Sequence, residues 1–501
     1  MEASIQPLLP PHKASHRKAL CLLLSLAAVF LCSATIVTFN FNKFGFFNPP
    51  LQNICVHAHD EPSCLAIVSE IASSTTAKLN HVHVLQHLLK KSTSHIQNII
   101  QEANRFSHRN NDPVKQAALV DCVKLMELSI DRIEDSIVAL ENVTPISHAN
   151  AHTWLSSVLS NHVTCMDGLN LGPARDRKLL QASPGEINAN VIVAKDGSGN
   201  YKTVKEAVAS APDNGKSRYV IYVKKGKYKE NVEIGKTKKN VMLVGDGMDS
   251  TIITGSLNVV DGSTTFKSAT VAADGDGFIA QDIRFVNTAG PQKHQAVALR
   301  VNADQSVINR CRIDAYQDTL YTHSNRQFYR DCFISGTVDF IFGNAGVVFQ
   351  KCKIVARKPM SGQKNMVTAQ GRTDPNQNTG TSIQKCDIKA SSDLEPVKDS
   401  VQSYLGRPWK KYSRTVVMQS KIGDHIDPSG WSPWDGDFAL KTLYYGEYMN
   451  KGPGAGTSER VKWPGYHVIT SAAEAKKFTV AELIQGGKWL KSTGVDFIEG
   501  L

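Results

Sequence analysis

Gln295, Gln317 and Asp339 stand 22 residues apart along the chain, and Asp318 precedes Asp339 by 21. In a chain that winds back on itself with a period near that spacing, two carboxyls and two primary amides gather on one face although they are remote in sequence. Two carboxyls side by side do not both ionise freely, so such a pair divides a proton unequally into one bare carboxylate and one acid. Side-chain amides offer N–H donors to an oxygen that gathers negative charge during acyl transfer. A solvent-facing ladder of Asn and Gln would show the same spacing, so the surrounding elements must decide. His323 and His425 do not complete a Ser-His-Asp arrangement, because no G-x-S-x-G elbow is present.

The elements that could position these residues begin after residue 187, where short β-branched and aromatic runs alternate with Gly and Asn. The runs "IAQDIRF", "VINRCRI", "RDCFI", "FQKCKI" and "IQKCDI" align so that Ile283, Cys311, Cys332, Cys352 and Cys386 are equivalent, at steps of 28, 21, 20 and 34 residues. Recurrence near twenty residues predicts a parallel β-helix in which each coil adds one strand to a growing sheet, with inserted loops in the longer steps. A β-sandwich is the competing reading, but its strands should recur every ~8–12 residues. Rungs about 4.8 Å apart bring neighbouring ladder cysteines within the roughly 4.4–6.8 Å Cα window of a disulfide. Cys332 and Cys352 are the predicted pair, while a reduced, buried place in the ladder competes for Cys311 and Cys386. No pair has C-x-x-C spacing, which argues against zinc.

The residues flanking the carboxyls and amides carry more information than their spacing. "GKYKE" at 226–230, "QAVALR", "QDTLY", "GTVDFIFGNA" and "LGRPW" occur in order, and the region 187–495 that contains them resembles the pectinesterase family. The resemblance implies a right-handed parallel β-helix that demethylates methyl-esterified homogalacturonan without a metal or cofactor. It implies Asp339 as the nucleophile, ionised beside Arg407 of "LGRPW". Asp318 becomes the acid and base, its pKa raised by the neighbouring carboxylate and by shielding from water. Gln317 then stabilises the transition state, and Thr265, Gln295, Arg407 and Trp409 bind substrate; Tyr316, Tyr321 and Trp431 are further candidates for the groove. A glycoside hydrolase acting on galacturonan is the rival enzyme, because a retaining pair of carboxyls is similarly close. A non-catalytic inhibitor or wall-binding protein is the rival from another class.

The N-terminal half reads differently. Asp112 and Pro113 suit an N-cap and first helical position, and Leu119, Val123, Met126, Ile130, Ile133, Ile137 and Leu140 recur in steps of four and three. Glu61 to Lys91 and Ser147 to Met166 also read as helical, so an all-α four-helix bundle is predicted. His81, His83 and His87 read as a solvated helix face rather than a metal site. Cys55, Cys64 and "SHANAHTWLSSVLSNHVTC" make residues 53–171 resemble the invertase and pectin-methylesterase inhibitor family. That implies disulfides joining Cys55 to Cys64 and Cys122 to Cys165, and an inhibitor domain acting within its own chain or on a separate one. Asn142-Val143-Thr144 is a glycosylation sequon weakened by Pro145.

Residues 172–186 form a Gly-, Pro- and Arg-containing linker, and Arg177-Lys178-Leu179-Leu180 looks like the site where a protease trims precursor pectinesterases. Residues 1–18 carry Lys13, His16, Arg17 and Lys18 ahead of an uncharged run at 19–39, long enough to cross a bilayer as a signal or anchor. The expectation is a cytosolic N-terminus and export of the rest to the cell wall, with the mature enzyme a monomer. The formal net charge of +11 suits a polyanionic partner. No zinc-finger or RNA-binding signature points that partner toward nucleic acid.

Overall fold

The computed structural model describes residues 81–109, 113–141, 143–168 and 189–501. The run 19–39, residues 61–80 of the first predicted helix, Cys55, Cys64, Asp112, Asn142 and the linker with Arg177, Lys178, Leu179 and Leu180 lie outside them. Among the described residues no helix is long and apolar enough to cross a membrane.

Helices α1 (His81–Arg109), α2 (Pro113–Ala139) and α3 (Pro145–Gly168) make up the described N-terminal region. Helix α1 runs well past Lys91, where the predicted helix ended, because Ile96 and Ala103 extend its buried stripe. In α2 the stripe at steps of four and three is present: Leu119, Met126, Ile133 and Leu140 are buried, with Val123, Ile130 and Ile137 half-buried between them. A second buried set on α2 is polar, comprising Asp121, Ser129, Arg132 and Ser136. Ser129 and Ser136 bond back to the carbonyls of Leu125 and Arg132, which satisfies a hydroxyl inside a helix. A Cys122–Cys165 disulfide ties α2 to α3, as the inhibitor-family resemblance implies.

From Val191 onward the chain winds into a parallel β-helix of three sheets, with 11, 8 and 7 strands. One coil visits all three: Arg326–Arg330 in the first, Phe333–Gly336 in the second, Ile341–Gly343 in the third. Every strand pair in these sheets is parallel, and crossovers between parallel strands are right-handed. The cysteine-centred alignment is the true register, since Arg284, Arg312, Phe333, Lys353 and Asp387 stack in successive coils directly after Ile283 and the four cysteines. The 34-residue step from Cys352 to Cys386 is lengthened by loops at 357–364 and 371–379. Aliphatic and aromatic side chains fill the bore, including Tyr329 stacked on Phe349 with ring centroids 4.6 Å apart.

The predicted Cys332–Cys352 disulfide is not formed; Cys311, Cys332, Cys352 and Cys386 are all buried free thiols. Cα spacing is necessary for a disulfide but not sufficient. Equivalent side chains in a parallel ladder point the same way, one above the other, whereas a disulfide needs Cβ atoms drawn to about 3.8 Å with a near-perpendicular torsion. Each sulfur lies within bonding distance of backbone carbonyls, as Cys332 does with Ile308 and Arg330 at 3.3 Å, and the thiols of Cys332 and Cys352 also interact with each other. Burial pushes the Cys311 thiol up to about 12, which keeps it protonated and inert.

Candidate active site

The acids sit where the chain turns from the second sheet into the third. Strands Leu299–Val301, Leu320–Thr322 and Ile341–Gly343 stack with Leu299, Leu320 and Ile341 level, a step of 21. Two residues before Leu320 and Ile341 lie Asp318 and Asp339, so these two carboxyls are the stacked pair, one rung apart. The 22-residue spacing of Gln295, Gln317 and Asp339 is therefore one coil plus one residue, and the amides are offset from the acids rather than equivalent to them. Asp318 and Asp339 both adopt left-handed backbone, with φ of 60° and 50°. Asp tolerates that conformation better than most residues, and it recurs at other turns of the coil.

Different surroundings push the two carboxyls apart. Arg407, directly after the strand Ser403–Gly406, grips Asp339 with both arms: Nε donates to Oδ1 at 2.8 Å and Nη2 to Oδ2 at 2.7 Å. The indole of Trp434 faces the same guanidinium at 4.3 Å. Asp318 has no such clamp; burial, reinforced by the Asp339 charge, raises its carboxyl well above the usual carboxylate range despite the opposing pull of Arg407. Asp318 therefore favours its protonated form, while both oxygens of Asp339 are taken up by the Arg407 guanidinium.

Both acids open into a cavity of about 400 Å³ that also takes in Thr265, Gln295, Gln317, Arg407 and Trp409. All seven residues predicted for catalysis or substrate contact thus meet in one place. The side-chain amides of Gln295 and Gln317 have no hydrogen-bond partner among the described residues, which leaves their N–H groups for a ligand. Trp409 lies edge-on to Phe342, and its ring packs on Gly371 so closely that a Cβ there would meet it at 2.7 Å. Tyr321 reaches the cavity, but Trp431 does not: it is 1% exposed, stacked on Tyr445 within the β-helix and bonded to Glu447. Tyr316 lies beneath the Arg357 guanidinium at 3.8 Å. Trp434 was missed, although "WSPW" hinted that two indoles three residues apart could face opposite ways. His323 is buried between Asn302 and Thr164, its protonation pushed down to about 3 by burial.

A model of the pectinesterase family matches residues 190–487. The chain belongs to that family. A model of the plant invertase/pectin methylesterase inhibitor family matches residues 50–193. A pectinesterase/pectinesterase inhibitor of Ficus pumila var. awkeotsang is 58% identical over 91% of this chain and 93% of its own. Pectinesterase 3 of Solanum lycopersicum is 59% identical, with 90% of each chain covered. Among solved structures, the pectin methylesterase from carrot is 63% identical, covers 64% of this chain and all of its own, and superposes with a TM-score of 0.62. The Aspergillus niger pectin methylesterase in deglycosylated form is 30% identical over 62% of this chain, with a TM-score of 0.51.

In this pectinesterase-family chain the helical region lies across the mouth of the cleft. Asp121 and Leu125 of α2 and Thr164 and Cys165 of α3 line the same cavity as the paired acids. Asp121 accepts a hydrogen bond from Thr264 at 2.6 Å and faces Lys267 at 3.2 Å, one residue and two residues from Thr265 respectively. Thr164 meets Tyr321 and His323 at 3.2 and 2.7 Å. The seal continues along the helices. Lys124 reaches the fully buried Asp274 at 2.6 Å and Glu233 at 2.5 Å, Arg132 clasps Asp276, Trp154 donates to Asp304 at 3.0 Å, and Gln377 donates to the Ser156 carbonyl at 3.0 Å. Burial would raise the Asp274 carboxyl, but Arg300 and then Lys124 outweigh it and hold it below its ordinary range. One apolar cluster, with Leu125 and Leu155 on one side and Phe266, Tyr321 and Phe342 on the other, is continuous across the contact.

Proposed function

We propose that the chain is a pectin methylesterase made with its own inhibitor-like cover, acting on the methyl esters of homogalacturonan to give pectate and methanol. The observation that carries this reading is the unequal carboxyl pair: Asp339 in the grip of Arg407, Asp318 buried one rung away. Asp339 attacks the ester carbonyl carbon, forming a C–O bond and placing negative charge on the former carbonyl oxygen. Gln317, with Gln295 beside it, donates amide N–H bonds to that oxygen, an interaction worth about 10²–10³ in turnover for one donor. Collapse breaks the bond to the methoxy group, which leaves as methanol with the Asp318 proton. The acyl-enzyme anhydride is then hydrolysed by water that gives its proton back to Asp318, restoring both acids. Thr265, Arg407 and Trp409 hold the sugar, Trp409 by its ring face.

The helical region, in this reading, keeps the cleft shut until the chain is cut in the linker near Leu180, after export through the segment at 19–39 to the wall. The mature enzyme then works as a monomer with residues 187–495 as its catalytic unit.

Methanol release from highly methylated pectin, measured beside new reducing ends, tests the reaction. Methanol alone is expected; reducing ends without methanol would make the enzyme a glycoside hydrolase. Asp339→Ala should abolish release with the fold retained, and full activity in that variant would overturn the mechanism.

A further inference from the structure

The turn from the first sheet into the second is made by one residue of left-handed backbone in each coil: Asp282, Arg310, Asp331, Lys351, Lys385 and Gln419. Each is level with the next, since two residues later Arg284, Arg312, Phe333, Lys353, Asp387 and Lys421 pair in register. On the early coils this edge carries opposite charges that satisfy one another. Arg310 pairs with Asp282 at 2.5 Å, Arg330 with Asp331 at 2.8 Å, and Arg284 and Arg312 share Asp314. From Lys351 onward the pattern breaks. Lys351 stacks under Lys385, Lys421 bridges to Lys451, and together with Lys353 these lysines line a surface hollow of about 490 Å³. Asp387 is the one acid in that lining, and it faces Lys389 at 3.7 Å. None of the five has a carboxylate within salt-bridge distance among the described residues.

Asp387 stands in register between Lys353 and Lys421, but Lys351 is level with Lys385 and Lys421 with Lys451, and like charges on facing positions are destabilising, so an edge with five lysines and one acid favours an anion. The occupant must be a linear polyanion, because the cations repeat along the axis at rungs about 4.8 Å apart. A polyuronate fits, with one carboxylate on every sugar of an extended chain. No aromatic ring lines the hollow to stack a base, as single-stranded nucleic acid binding requires. The strip is also separate from the cleft: the acids sit at the far end of the second-sheet strands, four residues such as Lys353–Ala356 away, or about 13 Å at 3.3 Å per residue.

We propose that Lys351, Lys353, Lys385, Lys421 and Lys451 form an anion-binding strip for demethylated, uronate-rich stretches of polysaccharide, outside the catalytic cleft. It rests on the pectic substrate proposed above and adds to it: the strip holds what the cleft has already de-esterified, raising the local concentration of the polymer at the enzyme.

The intact chain suits the test, because the cleft is covered while the strip is open. Binding to polygalacturonate is measured across a salt series for wild type, for K351Q/K385Q/K421Q/K451Q, and for a control with the exposed Lys202, Lys216, Lys227 and Lys229 changed to Gln. Four surface pairs of ordinary strength sum to about a tenfold weakening in the strip variant, with a shallower salt dependence. The control should change less than about twofold, and relief of stacked charge should leave the strip variant's Tm unchanged or higher. Equal weakening in both variants would reduce the effect to net charge, and unaltered binding in the strip variant, or binding to phosphatidylserine vesicles in place of polygalacturonate, would overturn the strip. Methanol release from a short methylated oligomer by the linker-cleaved protein separates the two ideas, since its absence in wild type would count against the esterase and leave the binding result standing.

Discussion

Lys124→Met keeps the side chain's length and apolar stem while deleting the charge that joins α2 to the β-helix. In the closed chain Lys124 lies 2.6 Å from Asp274, whose side chain is 0% exposed, while Glu233, the other partner, is 52% exposed. The exposed pair adds at most a few tenths of a kcal/mol. The buried, charge-assisted bond is worth about 1.5–3 kcal/mol net, and Asp274 keeps Arg300 at 2.7 Å, which favours the middle of that range. Once the helices lift away, water reaches Asp274 and the lost partner matters little, so the penalty falls almost wholly on the closed form. About 2 kcal/mol shifts the balance between closed and open roughly 30-fold. The assay is methanol release by the uncleaved protein, with the same protein after linker cleavage as the ceiling, and amide exchange of α2 as an independent gauge of opening. The uncleaved variant should gain activity toward the ceiling while Lys124→Arg stays near wild type. Faster exchange in α2 without any rise in activity would show that the helices do not guard the cleft.

Asp318→Asn should lower methanol release by about 10²–10⁴, as expected for loss of a general acid and base, yet stabilise the fold at neutral pH. Its raised carboxyl means the native protein keeps a proton that the unfolded chain releases, so wild-type stability falls as pH rises from the ordinary carboxyl value of about 4 toward the native one. A Tm advantage for the Asn variant at neutral pH that shrinks toward pH 4 is the expected scan; an advantage constant with pH would remove the buried proton from the account. Gly371→Ala places a methyl 2.7 Å from the Trp409 ring, and displacing an indole from a packed site costs about 1–3 kcal/mol. KM for pectin in the linker-cleaved protein should rise about tenfold with kcat less affected, and an unchanged KM would mean that Trp409 does not hold the sugar.

The β-helix was legible because its period survives in the sequence: Ile283 and four cysteines mark consecutive coils, and the register between strands follows them. The acid pair was legible for the same reason, although the amides' 22-residue spacing concealed a one-residue offset from the 21-residue coil. What stayed hidden is tertiary. A spacing rule locates Cys332 and Cys352 as neighbours but does not say whether their sulfurs join, and both are free thiols. Trp431 and Trp434 share a composition signal and differ only in which side of a turn they leave from. The polar face of α2, with Asp121, Lys124 and Arg132, reads in isolation as ordinary solvated helix; its meaning appears only when Thr264, Asp274 and Asp276 arrive from more than 140 residues away.

The coil register resembles a screw thread, and the catalytic acids are marks cut on neighbouring turns. Adding or deleting a single residue inside the strands Arg326–Arg330 or Phe333–Gly336 slides one mark past the other by about 3.3 Å and flips which face it shows, whereas the turn at 323–325 can absorb one, being a residue shorter in the next coil. The loops at 357–364 and 371–379 lie beyond the second mark, so length can vary there without disturbing the alignment. Descendants of this chain are therefore free to reshape the rim around the sugar, while the strands between the two aspartates must keep their count.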